Sequence, residues 1–165
     1  MKKARNKETG KDRRGEVVKQ TLKEEPKIII NLQGVMPNIE PQAISNLVSY
    51  MNNGKCDIGT LASDFNSRNE IDDPNAVKVA VKEKFSKNTF LNAYDFFRTS
   101  TNSTYNLYHH IGIYAFTNEA LLRYVSLKRS KLELDRKLEQ LRAIENNMSI
   151  HVGYIKSSPL SVDTE

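Results

Sequence analysis

Three histidines, one cysteine and a few charged residues carry the chemistry open to this 165-residue chain. His109 and His110 are adjacent in the strand-like run NLYHHIGIYAF, so their side chains face opposite ways and cannot chelate one metal without distortion. Zinc is therefore discounted. Either ring can face a polar pocket, or sit as an ordinary strand histidine with its hydrogen bonds satisfied. Arg98, after the aromatic cluster AYDFF, has the planar fork that grips a carboxylate, or is a charge at a loop edge. Glu139, Gln140 and Arg142 in KLEQLR either meet a ligand or form charge pairs along a solvated helix. Asp163 in SVDT is a metal ligand or a turn residue near a fraying end. The motifs GxxxxGK, GxGxxG and HExxH are absent, and the lone Cys56 excludes an intramolecular disulfide or thiolate cluster.

The elements that would position these residues alternate. KIIINLQ reads as a strand after Pro26, and Pro41 opens a helix carrying Ile44, Leu47, Val48 and Met51 up to Asn53-Gly54. CDIGTLASDF is a second strand. The turn DDPN leads into AVKVAVK, whose alternation predicts a strand with one buried face. NLYHHIGIYAF is a long strand ending at Thr117-Asn118, a cap for TNEALLRYV. One charged helix is expected from Leu132 to Glu145, with Leu134, Leu138, Leu141 and Ile144 on one side, before Asn146-Asn147 and the final strand SIHVGYI. This alternation predicts an α/β sandwich around a mostly parallel sheet, with ligands beyond the carboxyl ends of the strands. Gln33-Gly34 occupies such an end.

Composition narrows the class. At 38% apolar and 27% charged residues the chain is in the ordinary globular range, and no apolar run approaches a membrane span. Its N-terminus lacks an apolar signal region, so a cytoplasmic protein is expected. Residues 1–25 hold nine Lys or Arg against five Asp or Glu, a surplus of four out of a net charge of +5. This reads as a partly disordered basic arm. Its interspersed acids and lack of aromatics argue against specific nucleic-acid binding.

Taken together and in order, INLQGVMPNIEP, DDPNAVKVA, HIGIYAF, KLEQLR, IHV and VDT resemble the CMP-Kdo synthetases, the 3-deoxy-manno-octulosonate cytidylyltransferases. The resemblance runs from about Gly10 to the last residues. It implies a Rossmann-like nucleotidyltransferase fold with an inserted dimerisation subdomain, about residues 76–116, and hence a homodimer. The implied reaction joins CTP and the sugar acid Kdo, with Mg²⁺, to give CMP-Kdo and pyrophosphate for lipopolysaccharide synthesis. It also implies Gly10, Arg13, Gln33 and Gly34 as nucleotide contacts. The sugar contacts would be Arg98, His110, Tyr114, Glu139 and Gln140, with Asp163 as a magnesium ligand.

The sequence departs from that pattern. No first strand or triphosphate-clamping basic loop is matched, and the chain ends just inside the segment that follows VDT. Where the family has QGDEP, this chain reads QGVMP, so Val35 replaces an aspartate and cannot ligate a hard cation. The expectation is a cytidylyltransferase with impaired turnover; the alternative is a non-catalytic remnant or a sugar-binding or dimerisation module. Without the first strand, IIINL would present an apolar edge.

Overall fold

The β-branched run Ile28-Ile29-Ile30, closed by Asn31, forms strand β1 (Ile28–Asn31), and the computed structural model describes residues 26–32, 39–86, 89–99 and 104–156. Helix α1 (Pro41–Asn52) starts with proline in its first turn and buries Ala43, Leu47 and Met51, spaced four residues apart on one side. It ends at Asn53 and at Gly54, whose φ of +66° suits glycine. There follow β2 (Ile58–Ser63), α2 (Arg68–Asp72), β3 (Lys78–Val81), β4 (Phe90–Phe97) and β5 (Asn106–Thr117). Then come α3 (Asn118–Ser126), α4 (Lys131–Arg136), α5 (Leu141–Glu145) and β6 (Ile150–Tyr154). Thr117 caps α3 as its sequence suggested, accepting from the Ala120 amide at 3.1 Å.

The strands join in the order β1-β5-β2-β6-β4-β3, with β3 also pairing β5. The α/β architecture is as expected, but the sheet is mixed rather than mostly parallel. Among the described strands only β2 and β6 pair in parallel. The reason is β5, which runs antiparallel between β1 and β2, while β4 runs antiparallel to both β6 and β3. Strands β1, β2 and β6 nonetheless point the same way. Their carboxyl ends lie at one edge of the fold, toward the amino-terminal half of β5.

Among the described residues two cores flank the sheet. On one face α1 packs Ala43, Leu47 and Met51 against Leu61, Ile111, Ile113 and Ala115. Cys56 is buried there, and desolvation pushes its thiol up to about 11. On the other face α3 to α5 cover Ile58, Val79, Phe96, Tyr114, Phe116 and Val152. Gly59 sets the distance to α1, because a Cβ there would lie 2.7 Å from both Leu47 Cδ1 and Met51 Sδ.

Other local expectations change. The charged helix expected from Leu132 to Glu145 is two short helices, separated where Lys137 adopts φ 55°. A continuous helix would set Glu133 and Arg142 about 13 Å apart along its axis. The break folds them together: Arg142 Nε and Nη2 donate to the two Glu133 oxygens, each at 2.7 Å, with both residues 1% exposed. Leu134, placed by periodicity on the buried side, is 50% exposed. In β3 all four residues are buried, not one face, because β4 and β5 flank it and the Lys78 ammonium donates to the carbonyls of Asp73 and Arg98 at 2.6 Å each. Burial lowers the proton affinity of that amine. Helix α2 and strand β4 had no periodic signal strong enough to be assigned from sequence.

Two stability measurements check this account. Gly59→Val should cost about 1–3 kcal/mol through overpacking against α1, read as a lower midpoint in urea unfolding with an unchanged slope; an unchanged midpoint would refute the close approach. Arg142→Ala should cost about 3–5 kcal/mol by leaving the Glu133 carboxylate buried and unpaired. Burial alone would raise the Glu133 pKa, but the Arg142 guanidinium holds it below the ordinary 4.5. The pair's contribution is thus fully present above pH 4.5 and fades as pH falls through the lowered value. Glu133→Gln should flatten that part of the acid-unfolding profile.

Candidate active site

The polar groups of the sheet converge where its ladder breaks. Thr60 of β2 pairs with Tyr114 of β5, but the next residue, Leu61, pairs with Ile111, so Gly112 and Ile113 have no counterpart. The Thr60 hydroxyl fills this bulge, 2.6 Å from the Ile113 carbonyl and 3.2 Å from that of Ile111. It has one proton to give, and the carbonyls take it. The His110 Nε2, 3.0 Å from the same oxygen, is then the donor, which in a neutral ring is the Nε2-protonated tautomer. Side chains also gather on this face. The His110 and Tyr114 rings, with Gly112 between them in the strand, are 5.4 Å apart between centroids. Phe96 of β4 packs its ring edge-to-face on His110, at 5.1 Å.

The turn between α4 and α5 closes over this face. It carries Glu139 and Gln140, and the Tyr124 hydroxyl of α3 donates to the Glu139 carbonyl at 2.8 Å. The Arg142 guanidinium, held by Glu133, stacks on the Tyr124 ring at 4.7 Å. Arg136 at the end of α4 ties the assembly to β4 through the Asp95 carboxylate, at 2.7 and 2.8 Å. Tyr114 is 3% exposed. Its pKa lies well above the ordinary value, first through burial and then through the neighbouring Tyr124 and Glu139. The phenol therefore stays protonated as a hydrogen-bonding group. An imidazole, a neutral phenol and a carboxylate in this arrangement suit recognition of a polyhydroxylated ligand.

Of the residues singled out from sequence, His110, Tyr114 and Glu139 are brought together, with Gln140 buried in the same turn. Arg98 sits just past the end of β4; its Nη1 donates to the Pro74 carbonyl at 3.1 Å, so it braces the DDPN turn. Gly10, Arg13, Gln33, Gly34, Val35 and Asp163 lie outside the described residues. His109 and His110 do face opposite ways, as strand alternation requires. His109 Nδ1 meets Glu70 at 2.9 Å. His151 is on the α1 face, its Nδ1 2.7 Å from the Tyr50 hydroxyl. A cavity of about 340 Å³ on that same face is lined by Asn46, Tyr50, Phe90 and Tyr154 among others, without a charged side chain, and is separate from the His110 group. Among the described residues no three His, Cys, Asp or Glu side chains converge to hold a metal.

Sequence reasoning missed Thr60, Tyr124, Glu133 and Asn31. A threonine in a strand and a tyrosine in an amphipathic helix carry no signal of their own. Asn31 did carry one, as a polar residue closing the apolar run Ile28-Ile29-Ile30.

The relatives of this chain are consistent among themselves. It is 44% identical over 138 residues to the 3-deoxy-manno-octulosonate cytidylyltransferase of Bartonella henselae, covering 84% of this chain and 56% of that protein. It is 42% identical over 159 residues to that of Rhodopseudomonas palustris, covering 94% and 64%. The chain thus spans between about half and two thirds of the length of these curated relatives. The solved structure of CMP:2-keto-3-deoxy-manno-octonic acid synthetase complexed with CTP superposes with a TM-score of 0.81 at 31% identity, over 96% of this chain and 64% of that one. A 4-diphosphocytidyl-2C-methyl-D-erythritol synthase from Anaerococcus prevotii, at 13% identity and a TM-score of 0.55, shares the fold alone. The sequence pattern of the family described as cytidylyltransferase matches residues 3–150, and the chain belongs to that family.

Proposed function

We propose that this chain serves the activation of Kdo by CTP, contributing the sugar-acid side of a CMP-Kdo synthetase site. The observation that carries the reading is the convergence of His110, Tyr114 and Glu139 on one face of the sheet, in a chain 44% identical to a 3-deoxy-manno-octulosonate cytidylyltransferase. In that reaction the anomeric hydroxyl oxygen of Kdo attacks the α-phosphorus of CTP. The bond from that phosphorus to the bridging oxygen breaks, pyrophosphate leaves, and the hydroxyl proton is lost to a base. Positioning contributes much of the rate in such a transfer. His110 would accept a sugar hydroxyl proton at Nδ1, Tyr114 would hydrogen-bond a second hydroxyl, and Glu139 with Gln140 would fix the ring. Arg98 would reach the sugar carboxylate by exchanging its Pro74 contact for a stronger charge-assisted one.

The nucleotide side rests on the resemblance, through Gly10, Arg13, Gln33 and Gly34. Magnesium, when bound, would neutralise charge on the transferring phosphoryl group. By the same resemblance Asp163 would hold it. One observation favours the second reading, a sugar-binding remnant without turnover: Val35 stands where the resemblance expects a metal-binding aspartate. Homodimerisation through residues 76–116 finds support in the exposed, stacked Tyr94 and Tyr105, 5.1 Å apart. Cytoplasmic location accords with this chemistry, and no helix among the described residues is long and apolar enough to cross a membrane.

Pyrophosphate release with CTP, Kdo and Mg²⁺ tests the proposal beside a full-length relative. We expect Kdo-dependent release at least about a hundredfold slower than the relative's, since losing metal stabilisation raises the barrier by several kcal/mol. Equal rates would refute the impairment; absence of both release and Kdo binding would refute the assignment. Thr60→Val should raise the KM for Kdo by about tenfold, with Thr60→Ser restoring it and the ¹⁵N signature of an Nε2-protonated His110. If Thr60→Val leaves both the tautomer and the KM unchanged, the hydroxyl does not position the ring.

A further inference from the structure

Asn31 is 2% exposed, and neither its side-chain oxygen nor its nitrogen has a hydrogen-bond partner. Most buried side-chain polar atoms are paired, so an amide offering two donors and an acceptor and using none needs a reason. Packing does not supply one. Asn31 ends an isoleucine run on a largely apolar face, and Ile29, two residues earlier on the same side, packs into that core.

Its position is informative. Asn31 pairs with Tyr114 across β1 and β5, and Tyr114 pairs with Thr60 across β5 and β2. Directly opposed residues share a face, so Asn31, Tyr114 and Thr60 form a polar row across three strands. This row lies beside His110 and at the carboxyl end of β1, where ligands of α/β sheets collect. Thr60 is satisfied by His110 and the bulge carbonyls. Tyr114 also takes part in the electrostatics of the site. Asn31 is the member of the row left with its whole hydrogen-bonding capacity unused.

We infer that the Asn31 amide is a ligand contact of this site, hydrogen-bonding hydroxyl groups of the sugar acid. The inference rests on the reading proposed above and adds a residue to it. The chemistry selects the hydroxyls. Oδ1 needs a donor and Nδ2 an acceptor, and a hydroxyl provides both. An ionised carboxylate or phosphate provides acceptors alone and would face Oδ1 unfavourably. A site built to bond a hydroxyl also discriminates against ligands lacking it, because the buried amide is then left unpaired again.

Calorimetric titration of Kdo and of CTP, each alone, into the wild-type chain, Asn31→Leu and Asn31→Ala tests this, with thermal unfolding of all three. Leucine keeps the volume, and alanine avoids any clash. Kdo affinity should fall about tenfold or more in both variants, while CTP affinity stays within about twofold and the leucine variant unfolds at an unchanged or higher temperature, since no bond is lost in the free protein. A purely structural amide would instead lower the unfolding temperature, so unfolding of both variants overturns the inference. So does undiminished Kdo binding by either folded variant. Weakened CTP binding with intact Kdo binding would assign the amide to the base and overturn it too. If the wild-type chain binds no Kdo, the functional reading fails first and takes this inference with it.

Discussion

Between Thr60 and Leu61 the ladder joining β2 to β5 slips by two residues, and the Thr60 hydroxyl lies against two of the carbonyls at the slip. Without the hydroxyl, the bulge would leave buried carbonyls short of a donor and the imidazole without a fixed orientation. The same contact therefore shapes the backbone and orients the imidazole. Gly112 within the bulge fits this, since a kinked strand tolerates a residue without a side chain most easily.

A second constraint acts from the helical side. The buried Glu133–Arg142 pair is possible only because the chain turns between α4 and α5, and the turn it stabilises carries Glu139 and Gln140. Buried ion pairs add little net stability compared with apolar packing, but each partner strongly disfavours arrangements that leave the other alone. Here that asymmetry holds one backbone geometry in place. Tyr124 joins the two parts, with Arg142 against its ring and Glu139 bonded to its hydroxyl.

These features differ in how far the sequence discloses them. Helix α1 was legible because proline, periodicity and the closing Asn-Gly agree; so was the β5–α3 junction, where a strand pattern gives way to a capping threonine. The opposite orientations of His109 and His110 follow from alternation alone. The break at Lys137 was not legible, because the leucine spacing of a continuous helix survives across it. What outweighs that spacing is a contact between residues nine apart, which no local pattern encodes. Lys78 misled for a related reason: in AVKVAVK it reads as the solvated half of an alternation, but its partners are two backbone carbonyls, that of Asp73 in the turn just before the strand and that of Arg98 twenty residues further on. His110, Tyr114 and Glu139 were reached through ordered family motifs, whereas Thr60, equally central in space, stands out in no motif.

The buried thiol on the α1 face has a practical bearing. Cys56 is the chain's one cysteine, is 8% exposed, and has its ionisation pushed to about 11, so little of it is nucleophilic thiolate at neutral pH. A maleimide or a spin label would therefore pass it over in the folded protein. A cysteine introduced at an exposed position such as Leu134, on the helix beside the Glu139 turn, would be the only reactive one. The wild-type background is in effect cysteine-free for labelling, and movement of that turn can be followed by a single reporter without disturbing the core.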